Sequence, residues 1–293
     1  MAQSYLHIII PQGTDENVKM ETKFQELLIS LRNTVTGVRF SFEYFGNKQY
    51  TYFYTVVDTK YRETIEGLIY SIFPEAEIRN TKDYTSLFDP EKHGIAGTQL
   101  KLREKDVYPI RTYEQFEEDS MARLFSVVSK IESDEQVWVQ IILEPRDDTG
   151  GYHFRRNWRF YFVRIKKFFS IRDRLRKEGL KGINTTRFEL ASKKEKSKPF
   201  KTSIRLAYVS KDAAKAKQKL NGVINSFYHF TDTDINGFAA TRITTSPSFA
   251  QKYASRKHGI TYVLGADEAA TIYHLPNSDL VPHIVHVLAR KSD

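Results

Sequence analysis

The feature that most constrains the fold is an order of strands and helices that the sequence predicts twice. Each segment is recognised by apolar residues at strand or helix spacing and by a Gly or Pro at its end. The first round has the order β-α-β-β-α-β, which is the ferredoxin-like arrangement. Its predicted segments are a strand at 4–10, a helix at 20–35, strands at 38–45 and 50–57, a helix at 61–72 and a strand at 75–79.

The same order returns after a connector at 81–97, which lacks periodicity and contains Asp89-Pro90. The second round comprises a strand at 98–103, a helix at 113–131, strands at 136–143 and 202–209, a helix at 220–227 and a strand at 237–243. We therefore predict an α+β chain of two tandem ferredoxin-like (βαββαβ) units. The predicted domains are 1–84, then 98–245 with an inserted basic segment at 151–201, then a C-terminal extension at 246–293.

Positive charge is concentrated in and around the insertion. The whole chain has a formal net charge of +9. Residues 151–207 contain 18 Lys and Arg against four Asp and Glu, a net charge of +14, so the remainder carries −5. The basic character therefore belongs to one segment rather than to the fold.

The insertion is predicted to contain a basic amphipathic helix, with aromatic residues on its apolar face. Such a helix is typical of a membrane surface or a phosphate contact, and equally of a helix lying across its own domain. The apolar face consists of Trp158, Tyr161, Phe162, Ile165 and Phe169. The predicted lipid or nucleic-acid contacts are Arg155, Arg156, Arg159, Arg164, Lys166, Lys167, Arg172 and Arg174. The lysines at 193–198 that follow are predicted to lie in a mobile linker.

Motifs for catalysis are absent from the sequence. There is no cysteine, no Gly-Lys dipeptide of a P-loop, no His-Glu-x-x-His and no Gly-x-Ser-x-Gly. We expect no enzyme, cofactor or metal. An enzyme with an unrecognised site stays open as a third possibility. A deep pocket with convergent His274, Asp232 or Glu268 would indicate such a site.

Three histidine or acidic motifs favour structural interpretations. The run from Asp232 to Gly237 matches half of a calcium loop, but Ile243 stands where a bidentate Glu is needed. We predict an Asx-rich turn there. His274, before Leu275-Pro276, is predicted to cap or pack. His283 and His286 could chelate a metal only on a helix, which Pro282 opposes.

Aromatic residues on the two central strands of the first unit suggest an alternative function. Tyr50, Tyr52 and Tyr54 alternate on one strand, and Phe40, Phe42 and Tyr44 alternate beside them. On the open face of such a sheet, they could stack nucleic-acid bases together with the basic insertion. We favour instead a sheet face packed against helices or the other domain.

Six segments, in order, resemble one family along nearly the whole chain. The resemblance is to the N-terminal accessory region of conjugative type IV secretion ATPases (TraC/TraG/HerA-like), as found in candidate-phyla bacteria. The segments are 61–84 (YRETIEGLIYSIFPEAEIRNTKDY), 107–116 (VYPIRTYEQF), 135–145 (EQVWVQIILEP), 204–209, 236–238 and 266–276 (ADEAATIYHLP). In that family, this region precedes a P-loop motor, which has no counterpart between Met1 and Asp293.

The resemblance implies a non-catalytic docking module for a translocation apparatus at the cytoplasmic face of the membrane. The implied partners are a P-loop motor ATPase or other secretion subunits, with an anionic membrane surface or DNA facing the basic helix. An oligomer is compatible with this role. The alternative remains a nucleic-acid-binding protein that uses the basic insertion and the aromatic sheet face.

Overall fold

A computed structural model describes residues 2–10, 19–146, 190–191, 193–194 and 197–276. The chain is α+β, with a nine-stranded sheet in which each observed pairing is antiparallel. The strands are β1 Gln3–Ile9, β2 Phe40–Asn47, β3 Thr51–Asp58, β4 Glu77–Thr81, β5 Gly94–Leu102, β6 Gln136–Pro145, β7 Pro199–Ser210, β8 Phe238–Ala240 and β9 Tyr262–Gly265. The helices in this part of the chain are α1 Met20–Thr34, α2 Arg62–Ile72, α3 Ala122–Val128, α4 Ala213–Phe227, α5 Ser248–Ala254 and α6 Ala266–Ile272.

The strand order has an internal symmetry. Along the sheet it runs β4-β1-β3-β2-β6-β7-β5-β8, and β9 pairs with the beginning of β7. Strands β5 to β8 thus repeat the order of β1 to β4 in reverse. The two halves meet where β2 pairs with β6, from Phe40 opposite Leu143 to Asn47 opposite Gln136. This β2–β6 seam makes one sheet of both halves.

Five helices share one face of the sheet and bury a core that spans both halves. On α1, Phe24, Leu27, Leu28 and Leu31 recur at helical spacing and are all fully buried. The same core contains apolar residues of α2, α3, α4 and α6, together with side chains from β1, β2, β3, β6 and β7. The helix-facing core therefore does not divide at the seam.

The opposite face carries a second, smaller core. Phe45, Tyr54 and Trp138 point to this side and are buried. Tyr84, from the connector after β4, and helix α5 cover them. The approach of α5 is close, because a Cβ on Gly97 of β5 would lie 2.2 Å from the ring of Phe249. Gly97 is therefore the residue that lets this helix lie against the sheet.

The prediction that the aromatic residues of β2 and β3 lie together on one face of the sheet is wrong. In the observed register Tyr44 is opposite Phe53, and Phe45 is opposite Tyr52. Directly opposed residues point to the same side of a sheet, so the Phe40 series and the Tyr52 series lie on opposite faces. Both series are largely packed, the former under α1 and the latter beside Tyr84. Tyr50, at the edge of the hairpin, is 42% exposed.

The predicted helix at 113–131 is much shorter than expected. Tyr113–Gln115 is a 3₁₀ turn with a capping box from Thr112, and α3 begins only at Ala122. The Asp119 carboxylate accepts a hydrogen bond from the backbone N–H of Met121 (2.8 Å). In this stretch, side-chain hydrogen bonds to nearby backbone groups compete with helix formation. The apolar residues occur at helical spacing because they are buried, and not because the backbone is helical.

The C-terminal extension packs into the helix-facing core. Helix α6 lies against α1. The ring of Tyr273, just after α6, stacks on Tyr44 of β2 with 4.2 Å between ring centroids. Part of the predicted linker is also fixed, because Lys194 is buried and lies 2.9 Å from the Glu268 carboxylate of α6. The prediction of a wholly mobile linker is therefore wrong at Lys194, where the buried carboxylate of Glu268 attracts the ammonium group.

Candidate functional site

A cleft of about 620 Å³ lies at the end of the sheet where β2 begins and β3 and β6 end. Its walls come from the beginning of β2, the end of β3, Glu144 of β6 and the turn that follows α5. In the sequence, the insertion lies between β6 and β7. Because β6 and β7 are antiparallel neighbours, the end of β6 and the beginning of β7 are both at this end of the sheet.

Three exposed cations line the cleft: Arg39, Lys60 and Lys257. None of them forms an ion pair with any residue that the structure describes. The acidic lining residues are Asp58, which accepts the backbone N–H of Lys60, and Glu144, whose carboxylate lies 3.5 Å from the ammonium of Lys201. The cations are therefore the charged groups of this cleft that remain available to an anionic ligand.

Arg256, at the cleft wall, is a structural anchor. Its Nε and Nη2 donate to the two oxygens of Glu43 at 3.1 and 3.2 Å, and its guanidinium also pairs with Asp83. Burial lowers the pKa of Arg256, but Glu43 and Asp83 outweigh burial and raise it. Burial likewise opposes the ionisation of Asp83, and the hydrogen bond from Arg256 lowers its pKa. Arg256 has a φ of 46°, a left-handed conformation that costs a non-glycine residue about 1–2 kcal/mol.

The carboxylate of Glu43 is saturated with donors. Besides Arg256, it accepts hydrogen bonds from Ser41 (2.6 Å), Tyr84 (2.7 Å) and Gln140 (2.9 Å). Gln140 in turn accepts from Arg205, which is buried and has its pKa lowered by burial. A carboxylate held this way has no oxygen left to accept a proton from a substrate. We read this network as packing of the second sheet face, because donors from the protein itself satisfy both oxygens of the buried Glu43 carboxylate.

A second polar cluster lies on the helix-facing side. The imidazole Nε2 of His274 is 3.0 Å from Asp119 Oδ2 and 3.9 Å from Glu21 Oε1. Its Nδ1 lies 3.1 Å from the carbonyl oxygen of Ala270, four residues back in α6. Burial lowers the pKa of His274, but Asp119 and Glu21 outweigh burial and raise it. The prediction that His274 caps and packs is confirmed, and its pairing with two carboxylates is new.

The three residues considered for an unrecognised enzyme site have separate partners. Glu268 is paired with Lys194 and accepts the backbone N–H groups of Ile110 and Gly265. Asp232 accepts the backbone N–H of Asp234 at 3.0 Å, which is the predicted Asx turn. His274 contacts neither of them in these hydrogen-bond networks.

The predicted contact residues of the basic insertion lie outside the residues that the structure describes, as do His283 and His286. Sequence reasoning missed the cleft cations, and it missed Glu43 and Arg256. Glu43 did carry a signal, because it is a charged residue inside the otherwise uncharged, aromatic-rich run FSFEYF. Arg256 carried none, because its partners are distant in sequence.

A family model described as "Domain of unknown function (DUF8128)" matches residues 17–284. The chain belongs to this family. The match includes every strand except β1, together with the cations of the cleft and the His274 cluster. No curated protein sequence matches the chain. Within the residues that the structure describes, no helix has the length and apolar character needed to cross a membrane.

Proposed function

We propose that this protein is a non-catalytic assembly and docking module of a conjugative or type IV secretion apparatus. The observation that carries the proposal is the continuous sheet. It fixes a cation-lined cleft at the end of the sheet where β6 ends and β7 begins, and in the sequence a strongly basic segment lies between these two strands. Such a platform can hold a charged surface toward an anionic partner without chemistry of its own. The saturated carboxylates of Glu43 and Glu268 support the non-catalytic part.

The two halves are, in this proposal, two tandem ferredoxin-like units. The shared order of four strands, 4-1-3-2 in the chain order of each half, supports this assignment. So do the helices α1 and α3 after the first strand of each half and α2 and α4 after the third. The second unit carries the basic insertion between its two middle strands.

The partners that we propose are a P-loop motor ATPase or other secretion subunits, at the cytoplasmic face of the membrane. We propose the motor and its apparatus because six segments of the sequence resemble the accessory region of the type IV secretion ATPases. The anionic membrane surface rests on charge, because each Lys or Arg near an anionic leaflet contributes about 1 kcal/mol. Arg39, Lys60 and Lys257 add, on this account, to the predicted contact residues of the basic insertion.

The test compares two triple variants of the full chain that lose the same charge. Arg39→Ala/Lys60→Ala/Lys257→Ala removes the cleft cations. Lys101→Ala/Lys130→Ala/Lys217→Ala removes exposed cations elsewhere on the molecule. We expect binding to vesicles containing phosphatidylserine to weaken roughly tenfold or more in the first variant only. Vesicles of phosphatidylcholine alone provide the baseline. Equal binding by both variants would contradict a role for the cleft.

Nucleic-acid binding is the second candidate, because the same cations could contact phosphates. Fluorescence anisotropy with duplex and single-stranded DNA over a salt series measures it. A steep fall of log affinity with log salt, reduced by Ala at Arg155, Arg156 and Arg159, would favour DNA over lipid. If the chain binds neither lipid nor DNA and retains no secretion subunit in a pull-down, the docking proposal fails.

A further inference from the structure

Glu21, Asp119 and His274 come together from three separate parts of the chain. Glu21 is in the first turn of α1, Asp119 precedes α3, and His274 follows α6. Their side chains are 8%, 7% and 0% exposed. One carboxylate oxygen from each acid and a ring nitrogen of the histidine lie within 4.8 Å of one another. These are three potential metal ligands inside the helix-facing core.

The separations suit a small divalent cation. Tetrahedral ligands at 2.0–2.1 Å from a zinc ion are about 3.3 Å apart. The observed distances from His274 Nε2, 3.0 Å to Asp119 and 3.9 Å to Glu21, lie on either side of that value. Of the two carboxylates, that of Glu21 is the farther from Nε2, so a rotation of the Glu21 side chain would be needed to bring its oxygen within ligand distance of a shared ion.

The orientation of His274 is that of a supported metal ligand. The contact of 3.1 Å between Nδ1 and the Ala270 carbonyl, which can only accept, places a proton on Nδ1, and Nε2 is directed at the two carboxylates. A backbone carbonyl on the remote nitrogen is the usual outer support of a ligating histidine. Glu21 is supported too, because its Oε1 accepts the backbone N–H of Ser120 at 3.3 Å.

The charge of the cluster is unbalanced. Two carboxylates and a neutral imidazole sum to −2, and a protonated imidazole still leaves −1. No Lys or Arg pairs with Glu21 or Asp119 among the residues that the structure describes. A divalent cation would make the site neutral, which matters because an unpaired charge in a core is costly.

We propose that Glu21, Asp119 and His274 form a binding site for one divalent first-row transition-metal ion of the zinc type. A donor set of one nitrogen and two oxygens suits zinc, cobalt or manganese, and soft thiolate sites are excluded in a chain without cysteine. Three protein ligands leave a position for water. The ion would link α1, the segment before α3 and the end of α6, so it goes beyond the proposed docking function.

The test is titration of the EDTA-treated, desalted full chain with Co²⁺, read by visible absorption, and with Zn²⁺, read by calorimetry. All proteins carry His283→Gln and His286→Gln, which remove the other possible chelating pair. We expect one ion per chain and a rise in thermal midpoint on adding metal. Glu21→Gln, Asp119→Asn and His274→Gln should each weaken binding by more than the 10- to 100-fold typical of lost outer-shell partners. His258→Gln, beside the single carboxylate Glu144, is the matched control and should bind like its parent.

A fold defect is separable from loss of a ligand. Glu21→Gln keeps the side-chain size, and its circular dichroism without metal should match the parent. The proposal is overturned if the parent binds no stoichiometric metal, because the cluster then holds only a proton. It is equally overturned if folded Glu21→Gln and Asp119→Asn variants bind as tightly as the parent.

Discussion

Single buried residues carry much of the contact between distant segments. Arg256 holds an unfavourable backbone conformation, and its bonds to Glu43 and Asp83 join the turn after α5 to β2 and the connector after β4. Removing one member of such a buried set leaves the others uncompensated, which typically costs about 3–5 kcal/mol. Arg256 therefore stabilises the cleft wall and is unsuited as a probe of ligand binding, whereas Arg39, Lys60 and Lys257 are suited.

His7 makes folding stability depend on pH. It is 6% exposed and packs on Tyr52 and Tyr54 at ring distances of 5.2 and 5.4 Å. Burial, with a contribution from Arg79, lowers its pKa to about 4. Below pH 6.5, the unfolded chain binds a proton that the folded chain excludes, so stability falls as pH falls toward 4. Between pH 6.5 and 5.0, this loss is roughly 1–2 kcal/mol.

The measurement is urea unfolding of the parent and of His7→Phe at pH 6.5 and 5.0. Between pH 6.5 and 5.0, we expect the free energy of unfolding of His7→Phe to fall by roughly 1–2 kcal/mol less than that of the parent. Part of the loss should persist, because burial also lowers the pKa of His258 to about 4. An identical pH dependence of both proteins would show that His7 protonates freely in the folded state.

At the scale of elements, periodicity predicted most of the strands and helices because each is amphipathic or fully apolar. The observed β2, β3 and β6 lie within about two residues of their predicted positions. A clear exception is the stretch before α3, where Thr112, Gln115 and Asp119 bond to nearby backbone instead of continuing a helix. The apolar residues between Tyr113 and Val128 are spaced as on one face of a helix, although much of this stretch is not helical.

Two glycines differ in the space around them, and Gly46 shows how closely α3 approaches the sheet. A Cβ on Gly46 of β2 would lie 2.7 Å from Val128 Cγ1, whereas a Cβ on Gly67 of α2 would meet nothing within 4 Å. We expect Gly46→Ala to lower the free energy of unfolding by roughly 1–3 kcal/mol through overpacking. Gly67→Ala should raise it by about 0.5–1 kcal/mol through helix propensity. Chemical denaturation measures both, and a stabilising Gly46→Ala would contradict the contact between α3 and β2.

At the scale of the whole molecule, the sequence indicated two rounds of one element order but not how they meet. The β2–β6 seam joins residues that are about a hundred positions apart, and nothing local in either strand specifies the partner. The cleft could not be predicted for the same reason. Its cations come from before β2, after β3 and after α5, and only the sheet brings these segments together.

The seam makes a prediction about cooperativity. Two tandem domains joined only by a linker would unfold separately. Here, eight residue pairs connect the halves, and one helix-facing core runs across them. Half of the molecule unfolding alone would expose β2 or β6 as a long apolar edge together with the core beneath it, at a large cost in buried area.

We therefore expect a single calorimetric transition of the full chain, with the calorimetric enthalpy equal to the van't Hoff enthalpy. Hydrogen exchange should agree, with the slowest amides of β3 and of β7 opening at the same free energy, because both require global unfolding. Weakening the seam should separate the halves. Phe42→Ala removes a fully buried ring of β2 and should cost about 3–5 kcal/mol. Two transitions in the parent chain, or slow amides in only one half, would contradict a cooperative sheet.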